Sequence, residues 1–142
     1  MILKNLITVL LHFGIAIGLI IISGHWVLGL YFYLFIIFLF FRMIPRKHVK
    51  GIQHLYNNEF DKAYNDFEKS YKLFDKYKFI DKFGFIFLLS MSDYTYRESA
   101  LLNQAFICNK IGNKKEAEKL YEKILSINPK NRIARKVIES KK

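Results

Sequence analysis

Four histidines, twelve carboxylates and one cysteine are the side chains in this 142-residue chain that could do acid–base, nucleophilic or metal chemistry. The histidines stand at positions 12, 25, 48 and 54. None pairs with another at i,i+4, the spacing that puts two ligands on one helix face. His48 and His54 therefore read as surface or packing side chains. A lone Cys108 excludes an internal disulfide and a multi-cysteine metal site; it is expected as a small buried hydrophobe. Between residues 114 and 123 the acids alternate with lysines, as on a solvated helix face. No glycine-rich phosphate loop is present. These residues predict no enzyme, no metal and no cofactor.

The elements that carry them fall into two unlike halves. Residues 2–44 hold only two formal charges, Lys4 and Arg42, and the first acid is Glu59. Residues 45–142 carry the other 21 cations and all twelve acids, a net +9 within a chain total of +11. Two apolar runs, Leu6–Ser23 and Trp26–Phe41, are separated by Gly24 and His25. With their flanks each reaches about 20 residues, the length that crosses a hydrocarbon core. The reading is a transmembrane helical hairpin over residues 1–44, with spans at about 4–23 and 26–43. A cleaved signal peptide fits poorly, because the first run is long, lacks a small-x-small cleavage site and is followed by a second run. The membrane-flanking cations Lys4, Arg42, Arg46, Lys47 and Lys50 predict a two-pass topology with both termini cytoplasmic, in contact with lipid headgroups.

Within the first run, Asn5, Thr8 and His12 share one helix face, while Gly14 and Gly18 form a small-xxx-small pair on another. Both faces suit helix–helix contact, either inside the hairpin or between copies in a homo-oligomer.

The charged half reads as helices. One is expected from about 46 to 57, closed by Asn57-Asn58. A second runs from about Phe60 to Tyr77, with Ala63, Phe67, Ser70, Tyr71 and Phe74 on its buried side. Thr95-Tyr-Arg-Glu98 is a capping box that opens a third helix, and Gly112 closes it. A fourth covers about Lys114–Ile127 and stops at Asn128-Pro129. The run "KFGFIFLLSMS" lies between, in a segment 78–97 read as an added or extended helix. The end, 131–142, places Ile133, Ala134, Val137 and Ile138 at helical spacing, as a capping helix would.

The second pair of helices repeats the first at an offset of 54. Gly51, Asn58, Ala63 and Phe67 correspond to Ala105, Gly112, Ala117 and Tyr121, and Pro129 ends the second copy. Small residues allow close helix approach, and Asn and Gly tolerate the left-handed turn. This pattern resembles the tetratricopeptide repeat, a helix–turn–helix unit of about 34 residues. The copies are about 44–77 and 98–131. Departures are Cys108 where an aromatic is usual, Ile124 where a small residue is usual, and Asp75 in place of the proline. Together with the hairpin read from the apolar runs at 1–44, the resemblance implies an all-α chain with a small α-α superhelical domain at 45–142. It also implies a scaffold that holds a peptide or helix of a protein partner on a concave face, here His48, Ile52, Leu55, Tyr56, Leu102, Phe106, Asn109 and Lys110.

The expected function is therefore a membrane-anchored adaptor of tetratricopeptide type at the cytoplasmic membrane face. The alternative is a structural subunit assembled into a membrane complex through the hairpin. Nucleic acid is not expected as a partner, because the lysines are scattered among acids and no nucleic-acid module is recognisable. The Lys, Ile, Asn and Phe content suggests an AT-rich bacterial source.

Overall fold

The computed structural model describes residues 2–43, 46–82 and 93–140; in the first stretch the side chains of residues 2–5, 7, 8, 37 and 39–43 lie outside that description. Regular structure among the described residues is all helical: α1 (Ile2–Ser23), α2 (Trp26–Met43), α3 (Arg46–Tyr56), α4 (Phe60–Lys76), α5 (Lys78–Lys82), α6 (Tyr96–Lys110), α7 (Lys114–Ile127) and α8 (Arg132–Glu139). The all-α class is borne out. The chain forms two compact units: α1 and α2 belong to one, and Pro45–Asp81 with Tyr94–Lys142 make the other.

In the first unit α1 and α2 pack against each other as a hairpin. Gly24, at φ +67°, supplies the left-handed turn. The Ser23 hydroxyl, 3.1 Å from the Ile20 carbonyl oxygen and 2.9 Å from that of His25, holds the corner. The close contact is made at Gly29: a Cβ there would lie 2.5 Å from the Ile20 Cα. Nothing lies within 4 Å of a Cβ placed at Gly14 or Gly18, so this pair is not the hairpin's seam. His12 turns toward α2, its ring edge-on to Tyr33 at 6.2 Å. The side chains of Asn5 and Thr8, and those of Lys4 and Arg42, lie outside the described residues.

The two-pass membrane topology is corrected. Among the described residues no helix is long and apolar enough to cross a membrane. α2 has 18 residues, about 27 Å at 1.5 Å per residue, against a core of about 30 Å. α1 has 22 residues, but Lys4, Asn5, Thr8 and His12 interrupt its first three turns, which leaves a shorter uninterrupted apolar length. The hairpin is present; the crossing, and with it the cytoplasmic placement of both termini, is withdrawn.

The second unit is a sequential stack in which α3 packs on α4, α4 on α6, α6 on α7 and α7 on α8. Its core is apolar at helical spacing. Ala63 and Phe67 of α4 meet Ala100 and Ile107 of α6, and Leu101, Ala105 and Cys108 of α6 meet Ala117, Leu120, Tyr121 and Ile124 of α7. Fully burying each large side chain contributes about 1.5–3 kcal/mol. The small residues set the helix spacing: a Cβ on Gly51 would come within 2.9 Å of the Phe67 ring. The turns match across the repeat, with Asn58 at φ +58° and Gly112 at φ +82°. Ala134 of α8 is buried against α7, with Val137 and Ile138 beside it, while Ile133 stays exposed. Of the added segment, α5 and residues 93–97 are described, and residues 83–92 lie outside the described residues.

Candidate binding groove

The helix that carries half of the candidate surface, α6, is fixed at its N-terminus by three sets of polar contacts. Thr95 and Glu98 form the expected capping box. Asp81 reaches across from α5, accepting from the Tyr96 N–H at 2.7 Å and from Arg97 Nε at 2.8 Å. Arg97 also donates to Asp75 at 3.2 Å. The buried Glu98 carboxylate then accepts from Asn128 Nδ2 at 2.6 Å and Asn131 Nδ2 at 3.1 Å, tying α6 to the start of α8. Burial opposes charge on Glu98. The hydrogen bonds from the Thr95 backbone, Asn131, Asn128 and the Thr95 hydroxyl outweigh it and hold the carboxyl below the usual range. Asn131 caps α8 by accepting from the Ala134 N–H at 3.1 Å.

α3 is pinned from the other side. His48 Nδ1 is 3.1 Å from Ser70 Oγ on α4, and Nε2 is 3.3 Å from Ser99 Oγ on α6. Its ring meets Phe67 and Tyr96 edge-on, at 5.4 and 5.2 Å. Burial lowers its pKa to about 4, so the imidazole is neutral at pH 7, one nitrogen donating and the other accepting. At the far end of α3, His54 hydrogen-bonds Glu59 through Nδ1 and lies 3.6 Å from Asp66 through Nε2. Lys62 and His54 together hold the Glu59 carboxyl below its ordinary range.

Between the exposed faces of α3 and α6, and closed at one end by the turn into α4, is a groove of about 610 Å³ lined by Ile52, Leu55, Tyr56, Asn58, Phe60, Asn103, Phe106 and Lys110. Five of these, Ile52, Leu55, Tyr56, Phe106 and Lys110, are residues that the tetratricopeptide resemblance implies for a concave face. Tyr56 is 84% exposed and Phe106 45%, large fractions for aromatic side chains. The Lys110 ammonium lies over the Phe106 ring at 5.5 Å, a cation–π contact that keeps the charge at the rim.

Three expected members are elsewhere. His48 is 5% exposed and belongs to the packing between helices, not to the surface. The covering comes from Ser99 and Tyr96 of the next hairpin, which spacing along α3 does not reveal. Leu102 packs against the core around Tyr121 and Ile124. Asn109 is exposed and donates to the Tyr121 hydroxyl at 3.4 Å, outside the groove lining. Asn58, Phe60 and Asn103 are additions. Asn103 stands three and seven residues before Phe106 and Lys110, a helical spacing that could have found it.

The lining is apolar with one cation and two amides. It holds no nucleophile–base pair, and among the described residues no group of three His, Cys, Asp or Glu side chains could hold a metal ion. Such a surface can bind, by burying apolar groups and by hydrogen bonds from Asn58, Asn103 and Lys110. Comparison with protein-family models, with curated proteins and with solved structures gives no match.

Proposed function

We propose that the second unit is a scaffold of tetratricopeptide type whose groove binds a segment of a protein partner. The observation that carries this reading is the groove itself. Corresponding positions of the two hairpins, Ile52 with Phe106 and Tyr56 with Lys110, line one concave surface. Large apolar side chains left exposed on a rigid helical frame favour a partner, because covering them removes apolar area from water without reordering the frame.

A second reading has its own support. The α1/α2 hairpin exposes Phe13 (66%), Ile21 (73%), Ile22 (83%) and Trp26 (70%). An apolar surface of that extent marks a contact, which supports a structural subunit assembled through the hairpin.

A photo-crosslinking side chain placed at position 106, 133 or 22 of the full chain separates the two. The groove reading expects a discrete adduct from position 106 and none from 133, with Lys110→Glu reducing the first roughly tenfold, the effect of losing one charge-assisted contact. Adducts from position 22 alone would transfer the function to the hairpin.

A further inference from the structure

Phe60 is a wall shared by two depressions. On one side is the groove, whose only formal charge among the described residues is Lys110. On the other is a cavity of about 320 Å³ lined by Phe60, Tyr64, Ile107 and Ile111, with Asp61 and Glu116 as its charged groups. Each acid sits in the first turn of its helix, α4 and α7 respectively, where the helix dipole favours it. That accounts for each acid singly. It does not account for both opening onto one apolar cavity in a half-chain of net +9. Glu116 is half-buried and its contact with Lys119 is a 3.4 Å surface pair, which contributes little and yields readily to a better partner. Lys110, at the opposite edge, forms no salt bridge among the described residues.

We infer that the two depressions read one dipolar peptide segment. An aromatic or aliphatic anchor enters the groove with an acidic residue beside it, against Lys110. A lysine or arginine on the other side of the anchor enters the second cavity. Its methylenes lie on Ile107, Ile111 and Tyr64, and its charged end meets Asp61 and Glu116. Long cations suit such a site because the stem is apolar and the head is not. Charge complementarity fixes the direction of the segment along the surface: the reversed order sets like charges together at both ends. This rests on the groove being the binding surface.

The test is selection of a random 12-residue peptide display library on immobilised full chain, followed by affinity measurement of the enriched peptides on three variants. The expected peptides carry acid, anchor and base in one order. Lys110→Glu and, separately, Asp61→Lys with Glu116→Lys should each weaken them at least tenfold. The triple variant should bind the charge-reversed peptides instead. That last result cannot come from misfolding. If Lys110→Glu weakens binding and the double variant does not, the dipolar reading falls while the groove survives. If neither matters, both fall. Sedimentation of the chain alone tests the other occupant: self-association abolished by Lys110→Glu makes a second copy the ligand and overturns the peptide proposal.

Discussion

The two hairpins of the second unit, α3/α4 and α6/α7, share a spacing but not a core. Where the first buries His48 against Ser70, the second places Leu102 against a core that includes Ile124, at the corresponding positions. The first hairpin is held by a hydrogen-bonded imidazole wedged between aromatic rings. The second is held by apolar contact and a hydrogen-bonded Glu98 at its base. One helix geometry thus accepts both solutions, provided that every buried polar atom has a partner; among the described residues no buried side-chain N or O atom lacks one. The small residues are common to both, because they set how near the helices lie. The large ones differ, because a gap of given size can be filled by either chemistry.

The sharpest way to break the comparison is to remove the side chain on which the first hairpin converges. Phe67 is fully buried, touches His48 and faces Gly51. Phe67→Ala should destabilise the unit by about 3–5 kcal/mol, a cavity plus lost transfer energy. Tyr121→Ala, at the corresponding position, should cost less, since its hydroxyl already reaches the exposed Asn109. Urea unfolding followed by circular dichroism measures both. Equal losses would mean that the cores are interchangeable.

Acid should distinguish the hairpins next. His48 has a folded pKa of about 4 against 6.5 for the free side chain. The unfolded chain therefore binds the proton first, and stability falls as pH drops from about 6.5 to about 4. The full window is worth about 3 kcal/mol. Converting the first pattern into the second, with His48→Leu and Ser70→Ile together, should abolish that part of the pH dependence. Each single change should destabilise, by roughly 1–3 kcal/mol, because it leaves a buried partner unpaired or overpacks the gap. Unfolding midpoints at pH 7 and pH 5 for the four proteins give the coupling; an unchanged slope in the double variant removes His48 as the titrating group.

The smallest effect concerns the turns. Asn58 and Gly112 occupy the same left-handed position. Asn58→Gly should alter stability by less than about 0.5 kcal/mol, and Gly112→Ala should cost about 1 kcal/mol. A thermal unfolding series in which Asn58→Gly costs as much as Gly112→Ala would deny that the two turns share this left-handed geometry.

Much of this was legible beforehand for a physical reason: it depends on local spacing. The capping box at Thr95 and Glu98, the stop at Gly112 and the buried side of α4 are set within one or two helical turns. The groove was legible only in part. Helical periodicity assigns a residue to a face but does not say whether a neighbour covers that face. His48 and Ile52 lie one turn apart on α3, yet Ser99, about fifty residues later, closes over one and leaves the other open. The same limit applies to the apolar hairpin. Its two helices and its Gly24 corner follow from composition, whereas the Gly29–Ile20 approach that joins them depends on how the two helices meet.

By itself the sequence determined the helical character of the described residues, two unlike halves, the helix ends and a twice-used packing pattern, because propensity, capping and periodicity act over a few residues. Only the tertiary structure decided which faces stay open. That choice is made between segments far apart in the chain: Asp81 anchoring α6, Glu98 gathering Asn128 and Asn131, and His48 joining three helices. A groove is the space such long-range contacts leave unfilled.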